Sequence, residues 1–176
     1  MRIETERLEL LSATLEDAGL IFDLFKLPGV VEFLPPMPDW TIDEARKVVE
    51  GRIKLEAKIG YAPLIVRRKD RAEFIGNAGI RPLSGTPEIE LMYHYLPAAW
   101  GKGFGTEAAV ALLDHGLRVL GLEKIIALSM SGNVGSWRVM EKAGMRYEGL
   151  ATYFGVEGLK KYVAEGATWA APSRTS

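Results

Sequence analysis

Three glycines stand within five positions in the segment AAWGKGFGTEAA, residues 98–109. The preceding segment EIELMYHYL (88–96) has strand character, and the following segment EAAVALLDHGLRVL (107–120) has the pattern of a helix with Gly121 at its C-cap. A turn between a strand and a helix gathers unpaired backbone N–H groups and the positive end of the helix dipole. The sequence therefore predicts an anion-binding turn, in which glycine would let a phosphate approach the backbone amides directly.

Two familiar phosphate loops do not fit this turn. Its spacing is G-x-G-x-G, whereas dinucleotide binders have G-x-G-x-x-G and nucleotide P-loops end in G-K-[ST]. The spacing disfavours a nucleotide-binding oxidoreductase. Taken alone, the glycines are equally well explained by a tight turn that requires positive φ.

The N-terminal part predicts one strand and one helix, followed by a loop. The segment RLELLSA (7–13) has strand character, and Thr14 with Asp17 has the spacing of a capping box for a helix through about Phe25. The proline-rich and aromatic segment 26–40 predicts an irregular, shaped loop.

A second helix and a β-meander follow. Thr41 and Glu44 repeat the capping spacing, and helical periodicity continues to about Lys58. Two strands are then predicted to form a hairpin, YAPLIVR (61–67) and EFIGNAGI (73–80), with residues 88–96 as the next strand.

The C-terminal part predicts a strand–helix–strand unit and a closing hairpin. LEKIIALSM (122–130) reads as a strand buried on both faces, and Asn133 starts a short helix that Gly144 ends. The last two strands are MRYEGL (145–150) and LKKYVAEGATWA (159–170), followed by a small tail, APSRTS. This order predicts a mixed α/β fold in a single domain, residues 1–176, with parallel strands where the helix 107–120 crosses over.

Composition excludes several function classes. With 22 basic and 23 acidic residues, the formal net charge of −1 argues against a nucleic-acid binder or an anionic-membrane sensor. The absence of cysteine removes disulfides, thiolate metal sites and a cysteine nucleophile. Because the start lacks a signal-peptide pattern and no segment has the length of a membrane span, we expect a cytoplasmic protein.

Several segments together resemble the GNAT superfamily of acyl-CoA-dependent N-acetyltransferases. The resemblance is carried by EIELMYHYLP, WGKGFGTEA and NVGSWRVMEKAGMRYEG, and ETERLEL with EDA near the N-terminus resembles the RimJ and RimL branch. It implies a central, mixed, mostly antiparallel sheet with splayed strands, flanked by helices, and acetyl-CoA as cosubstrate. The pyrophosphate of acetyl-CoA would lie on the amides of the glycine turn, at Gly101, Lys102, Gly103, Phe104, Gly105 and Thr106.

The resemblance also suggests a general base and a donor for the oxyanion. Glu90 would take the proton of the amine directly or through water, with Glu88 as the alternate, although either could be a solvated strand carboxylate. Splaying of the strand would leave main-chain N–H groups for the pantetheine arm and the thioester oxygen, at Tyr93, His94 and Tyr95.

The departing thiolate would be served by Ser136. Many GNAT members have a tyrosine seven residues after the asparagine of this segment, where this chain has Met140, and the RimJ and RimL branch uses the serine instead. Asn133 would contact the pantetheine, cap its helix, or do both. Trp100 replaces the Gln or Arg of many members and reads as a marker of the branch or a packing residue.

The acceptor is left open as a protein N-terminus or a small-molecule amine, and so is the oligomeric state, a homodimer included. The loop 26–40 is predicted to cover the acceptor entrance through its apolar residues Phe33, Leu34, Met37 and Trp40. His94 and His115 lack a third ligand, so no metal is expected. The competing class is a non-catalytic acyl-CoA sensor or scaffold, which would keep the glycine turn without the chemistry.

Overall fold

Eight strands form one mixed sheet in the computed structural model, which describes residues 1–37 and 39–172. The strands are β1 Arg2–Glu4, β2 Leu8–Leu11, β3 Leu64–Arg68, β4 Phe74–Pro82, β5 Ile89–Tyr95, β6 Lys124–Met130, β7 Arg146–Tyr153 and β8 Val156–Glu165. The helices are α1 Ala18–Leu24, α2 Pro28–Val31, α3 Ile42–Ile59, α4 Phe104–Asp114 and α5 Val134–Lys142. Pro38 of the predicted loop and residues 173–176 of the predicted tail lie outside the described residues.

The strand order is β1-β2-β3-β4-β5-β6-β8-β7. The pairings β1–β2, β2–β3, β3–β4, β6–β8 and β7–β8 are antiparallel, whereas β5 and β6 run parallel on either side of the α4 crossover. The parallel register places Glu90 opposite Ile126. The predicted mixed, mostly antiparallel sheet with flanking helices is therefore confirmed.

The chain divides into two compact units. The first comprises Met1–Gly79 and Met92–Phe104, and the second comprises Ile80–Leu91 and the chain from Gly105 onward. In the first, α1, α3 and β3 bury a cluster around Ile21, Val49 and Ile65. In the second, Ile126 and Val163 are buried with Leu83, and the middle of β6 is buried as predicted for a strand covered on both faces.

Side-chain caps set the helix starts as predicted. The Thr14 amide donates to Asp17 Oδ2 at 2.8 Å, and a short 3₁₀ turn at Leu15–Asp17 leads into α1. The Thr41 hydroxyl accepts from the Glu44 amide at 3.2 Å at the start of α3. Each cap satisfies a backbone N–H that has no partner within the helix.

Four local details correct the sequence-based expectations. The strand β1 was not predicted, and it pairs with β2 through a turn at residues 5–7. The loop 26–40 contains the short helix α2, because Pro28 fits the first turn of a helix, where its missing N–H costs nothing.

None of the helices in the described ranges is long and apolar enough to cross a membrane.

The other two corrections concern element ends. Helix α4 begins at Phe104, three residues before the predicted start, and its last turn widens into a π-helix at His115–Val119. Strand β8 ends at Glu165, because the chain turns there and the Trp169 amide bonds back to the Glu165 carbonyl at 2.7 Å.

Replacing Gly76 with Ala is expected to lower the free energy of unfolding by about 3 kcal/mol. A Cβ at Gly76 would lie 2.2 Å from the His94 carbonyl oxygen and 2.8 Å from Tyr95 Cα, so β4 and β5 would have to separate. Urea denaturation measures the change. The matched control is Gly51→Ala in the exposed middle of α3, where a Cβ meets nothing within 4 Å and alanine should stabilise by roughly 0.5–1 kcal/mol. Equal stability of Gly76→Ala and wild type would contradict this account of the close approach.

Candidate active site

The glycine turn leads directly into the first turn of α4. Gly101 and Gly103 have φ of 71° and 80°, a left-handed conformation that favours glycine. Because α4 begins at Phe104, the amides of Phe104, Gly105 and Thr106 belong to the first helical turn, where N–H groups have no partner within the helix. The geometry is that of an anion site at a helix N-terminus.

Two arginines that the sequence did not single out lie at this turn. Arg7 Nη1 donates to the Lys102 carbonyl at 3.0 Å, and the Arg7 guanidinium lies 4.6 Å from the centre of the Phe104 ring. The Arg68 guanidinium lies 5.5 Å from the same ring. Lys102 lies within the turn, so three cationic residues lie in or beside it, of which Arg68 is also paired with Asp70, its Nε donating to Oδ1 at 3.0 Å. Positive charge at the turn favours a phosphate. The one sequence signal for Arg7 was its place in the ETERLEL segment; nothing local marked Arg68.

The residues of β5 before the turn are held by aromatic contacts. Tyr95 is buried, and its ring stacks with that of Tyr93 at 6.2 Å between centroids. The Trp100 indole N–H donates to the Tyr95 carbonyl at 2.8 Å. A Cβ at Gly29 would lie 3.1 Å from the Trp100 ring, so the tryptophan packs on the segment around α2. These contacts support the packing interpretation of Trp100.

Glu90 is largely buried, with 12% of its side chain exposed, and it pairs with Arg81 on β4. Arg81 donates through Nε and Nη2 to one carboxylate oxygen, Oε2, at 3.1 and 3.0 Å. Within the described part of the chain no donor reaches the other oxygen, Oε1. Among the described residues, hydrogen-bond donors thus reach only one of the two carboxylate oxygens of Glu90.

Glu88, the alternate base, has both carboxylate oxygens bound. Oε1 accepts from Lys161 Nζ at 2.7 Å and lies 3.6 Å from Lys124 Nζ, and Oε2 accepts from the Tyr153 hydroxyl. Burial alone would raise the pKa of Glu88, but the hydrogen bonds from Lys161 and Tyr153 hold it below its ordinary value. Both carboxylate oxygens of Glu88 are thus occupied by donors, whereas Oε1 of Glu90 has none among the described residues, and this difference in occupancy makes Glu90 the better candidate for the base.

The pKa values of Tyr153 and Lys161, the partners of Glu88, are both raised. The pKa of Tyr153 is raised, first by burial and then by its hydrogen bond to the Glu88 carboxylate. Burial would lower the pKa of Lys161, but hydrogen bonds to Glu88, Tyr153 and Glu148 raise it well above the ordinary value. These hydrogen bonds and ion pairs link Glu88, which directly precedes β5, to β7 and β8 within the second unit.

Asn133 and Ser136 come together at the start of α5. Asn133 Oδ1 accepts from the Ser136 amide at 3.2 Å, which confirms the capping role of the asparagine. Ser136 is half-buried in the first turn of the helix. Met140, one turn further on, is buried and serves the core. A contact of Asn133 or Ser136 with a cosubstrate stays a prediction.

The remaining predicted residues include Trp40 of the acceptor loop and the two histidines. Trp40 belongs to the apolar cluster of the first unit, where its indole N–H donates to the Phe22 carbonyl at 3.0 Å. His94 on β5 contacts Asn77, whereas His115 lies in the π-turn after α4, and burial lowers its pKa. Across residues 1–37 and 39–172, His, Asp and Glu side chains form no group that could hold a metal ion.

Known proteins resemble this chain over most of its length. The family model described as an acetyltransferase (GNAT) domain matches residues 7–146, from Arg7 at the turn to the start of β7. The uncharacterized N-acetyltransferase p20 of Bacillus licheniformis is 30% identical over 149 residues, covering 83% of each chain.

Two solved structures illustrate the fold. An acetyltransferase of the GNAT family from Bacillus anthracis superposes with a TM-score of 0.79 at 25% identity, covering 95% of this chain and 99% of that one. RimL, a ribosomal alpha-N-protein acetyltransferase solved in complex with coenzyme A, superposes with a TM-score of 0.77 at 20% identity, covering 94% and 98%. At that identity the likeness to RimL shows a common fold alone.

Proposed function

This chain belongs to the acetyltransferase (GNAT) family, and we propose that it transfers the acetyl group of acetyl-CoA to a primary amine. The observation that carries the proposal is the glycine turn at the head of α4, with Arg7, Arg68 and Lys102 beside it. A pyrophosphate needs such a concentration of backbone donors and positive charge.

The cosubstrate would be bound along its length by different parts of the chain. The pyrophosphate would lie on the amides of residues 101–106, and the pantetheine arm would bond to the main chain of Tyr93, His94 and Tyr95 and to Asn133. The coenzyme A bound to RimL, a protein of the same fold, supports this use of the fold.

The chemistry assigned to this chain is a direct transfer. Glu90 Oε1 takes one proton from the ammonium group, directly or through a water molecule, and the neutral nitrogen attacks the thioester carbonyl carbon; the nitrogen then loses its second proton to solvent. Main-chain N–H groups of β5 stabilise the oxyanion of the tetrahedral intermediate. When the C–S bond breaks, the thiolate receives a proton from the Ser136 hydroxyl, which regains one from solvent.

We also propose a branch of the family, a class of acceptor, a domain extent and a cellular location. We propose the RimJ and RimL branch, supported by the ETERLEL segment, Trp100 and the fold shared with RimL. The acceptor is a protein N-terminus or a small-molecule amine. We also propose that residues 1–176 act as one GNAT domain in the cytoplasm.

The experiment that tests the function is release of free thiol from acetyl-CoA in the presence of a panel of amines. The panel pairs peptides that have a free α-amine, and small alkylamines, with the same compounds acetylated beforehand. We expect thiol release with at least one unblocked amine and none with its blocked form. Tight binding of acetyl-CoA without thiol release for any amine would instead indicate an acyl-CoA sensor.

Replacing Ser136 with Ala is expected to lower kcat about 10- to 100-fold while leaving the affinity for acetyl-CoA nearly unchanged. The hydroxyl would act on the departing sulfur only in the transition state, and one charge-assisted hydrogen bond has about this effect. Ser131→Ala is the matched control, because the Ser131 hydroxyl donates to the Gly158 carbonyl at 2.9 Å. An unaltered kcat for Ser136→Ala, where chemistry limits the rate, would assign the proton transfer to another group or to water.

A further inference from the structure

Arg81 on β4 and Glu90 on β5 face each other across two neighbouring strands, within the second unit. At the turn between these strands, the Leu83 amide donates to the Glu88 carbonyl at 2.8 Å. In an antiparallel pair of that register, the residues two positions further from the turn are Arg81 and Glu90, directly opposite each other. Opposed residues have their side chains on one face of the sheet. The turn therefore sets the pair.

The guanidinium of Arg81 binds only one oxygen of the Glu90 carboxylate. Nε and Nη2 both donate to Oε2, at 3.1 and 3.0 Å. In a bidentate arginine–carboxylate pair, by contrast, two parallel N–H groups bind the two oxygens separately. The contact seen here holds the carboxylate through Oε2 and leaves Oε1 without a donor among the described residues. Arg81 can thus orient Glu90 without blocking the oxygen that would take a proton.

Glu90 needs a cation because its side chain is only 12% exposed. A carboxylate withdrawn from water is destabilised unless it is paired and hydrogen-bonded. Within residues 1–37 and 39–172, Arg81 is the cationic residue that pairs with it. The Arg81 side chain is itself 45% exposed, so shortening it removes little buried surface. A variant at this position is therefore expected to fold.

Glu88, two positions before Glu90, has a separate set of partners. Its carboxylate is bound by Lys161, Lys124 and the Tyr153 hydroxyl. Arg81 is not among these partners, and Lys161 and Tyr153 do not contact Glu90. Removal of Arg81 therefore changes the partners of Glu90 and leaves those of Glu88 in place, so its effect can be assigned to one carboxylate.

We propose that Arg81 is a positioning residue, which holds Oε2 of Glu90 and so leaves Oε1 directed to take the proton of the acceptor. The proposal rests on the proposed function and deepens it, because it assigns the residue that orients the base. Proton transfer requires the two heavy atoms to come within hydrogen-bond reach, so a carboxylate that can turn away transfers the proton less efficiently. Arg81 acts through Glu90 and contacts neither the amine nor acetyl-CoA.

The ion pair can be measured without any activity. In ¹⁵N-labelled protein, a hydrogen-bonded Nε–H exchanges its proton with solvent more slowly than an unbonded one. The Arg81 signal is identified by its loss in Arg81→Ala. We expect slow exchange in wild type and faster exchange in Glu90→Ala, which removes the acceptor. Equal exchange rates in these two proteins would show that Glu90 does not hold Arg81, and would overturn the proposal.

Arg81→Ala is expected to lower kcat about 10- to 100-fold on an amine that the thiol assay identifies, with the acetyl-CoA KM unchanged. The loss should shrink as the pH rises, because an amine that is already neutral has less need of a base. A merely structural arginine would not give this pH dependence. Arg2→Ala is the matched control, because Arg2 is an exposed arginine that donates to a carboxylate, that of Glu9, at 2.6 Å.

A double-mutant cycle with Glu90→Gln tests whether Arg81 acts through the base. Glutamine is not a base, so its orientation has no effect on proton transfer. In the Glu90→Gln background, Arg81→Ala should therefore change kcat by less than about twofold. Losses that multiply would mean that Arg81 acts elsewhere. If circular dichroism shows Arg81→Ala to be unfolded, Arg81→Lys replaces it in the cycle, with a smaller loss expected because lysine keeps the charge but lacks the planar donors.

The outcomes separate the two proposals. If wild type acetylates an amine and Arg81→Ala keeps the wild-type kcat, or its loss multiplies with that of Glu90→Gln, the positioning role is wrong and the proposed function stands. If Glu90→Gln itself has the wild-type rate, the positioning role falls with the assignment of the base, while acetyl transfer stands. If wild type releases no thiol with any amine, both proposals fail.

Discussion

Glu90→Gln is expected to lower kcat/KM at moderate pH on the order of 10²–10⁴-fold, the usual cost of removing a general base. The substitution is nearly isosteric. Arg81 donates twice to Oε2, so the new amide oxygen can keep that pairing. The amide nitrogen would then take the place of Oε1. An amide nitrogen cannot accept a proton, so the base would be lost. The loss is therefore not explained by missing hydrogen bonds from Arg81, although the charge of Glu90 is removed together with the base.

The defect should depend on pH in a way that reports on the acceptor. A free alkylamine has a pKa near 10 and is mostly protonated at pH 7, whereas a protein α-amine has a pKa near 8. As the pH rises, more of the amine is already neutral, and the need for a base falls. The Glu90→Gln rate should therefore approach wild type at high pH.

The measurement is a pH–rate profile of kcat/KM for wild type and Glu90→Gln on an identified amine. Glu157→Gln is the matched control, because Glu157 is an exposed carboxylate. Superimposable profiles for wild type and Glu90→Gln would mean that Glu90 is only a strand residue and would transfer the role to Glu88 or to bulk water.

Gly103→Asp is expected to weaken acetyl-CoA binding by at least about 100-fold, or roughly 2.7 kcal/mol, the scale of one lost charge-assisted hydrogen bond. The new side chain would start on the turn where the pyrophosphate is proposed to lie, and its charge would repel the phosphates. A Cβ at this position lies 3.3 Å from Arg7 Nη2, so the carboxylate would also pair with a cation of the turn. Isothermal calorimetry measures the affinity.

Two controls separate the causes of that loss. Gly103→Asn has the same size and tolerates positive φ but carries no charge, so it should lose less affinity than Gly103→Asp. Gly85→Asp introduces the same side chain at a φ of 75° in a turn where a Cβ meets nothing within 4 Å, and affinity should not change. If folded Gly103→Asp binds acetyl-CoA as wild type does, the pyrophosphate does not lie on this turn.

The features that the sequence predicted best are those set by neighbours along the chain. The caps at Thr14, Thr41 and Asn133 each join a side chain to a residue three positions away. Burial of β6 followed from an unbroken apolar run, and the parallel pairing of β5 and β6 followed from the helix between them. Local side-chain chemistry was sufficient for these features.

The features that were not predicted depend on contacts between distant parts of the chain. Arg7 reaches the Lys102 carbonyl across 95 positions, and no local pattern marks that contact. The choice between Glu88 and Glu90 likewise required their partners, since Lys161 and Tyr153 bind Glu88 from far along the chain.

The most direct test of the central claim follows the acetyl group itself. Wild type and Gly103→Asp are incubated with acetyl-CoA carrying a ¹³C-labelled acetyl group and with the amine panel, and the products are analysed by mass spectrometry. The account predicts labelled acetyl on the nitrogen of an unblocked amine with wild type, and little or none with Gly103→Asp at limiting acetyl-CoA. Wild type that binds acetyl-CoA and yet leaves every amine unlabelled would contradict it.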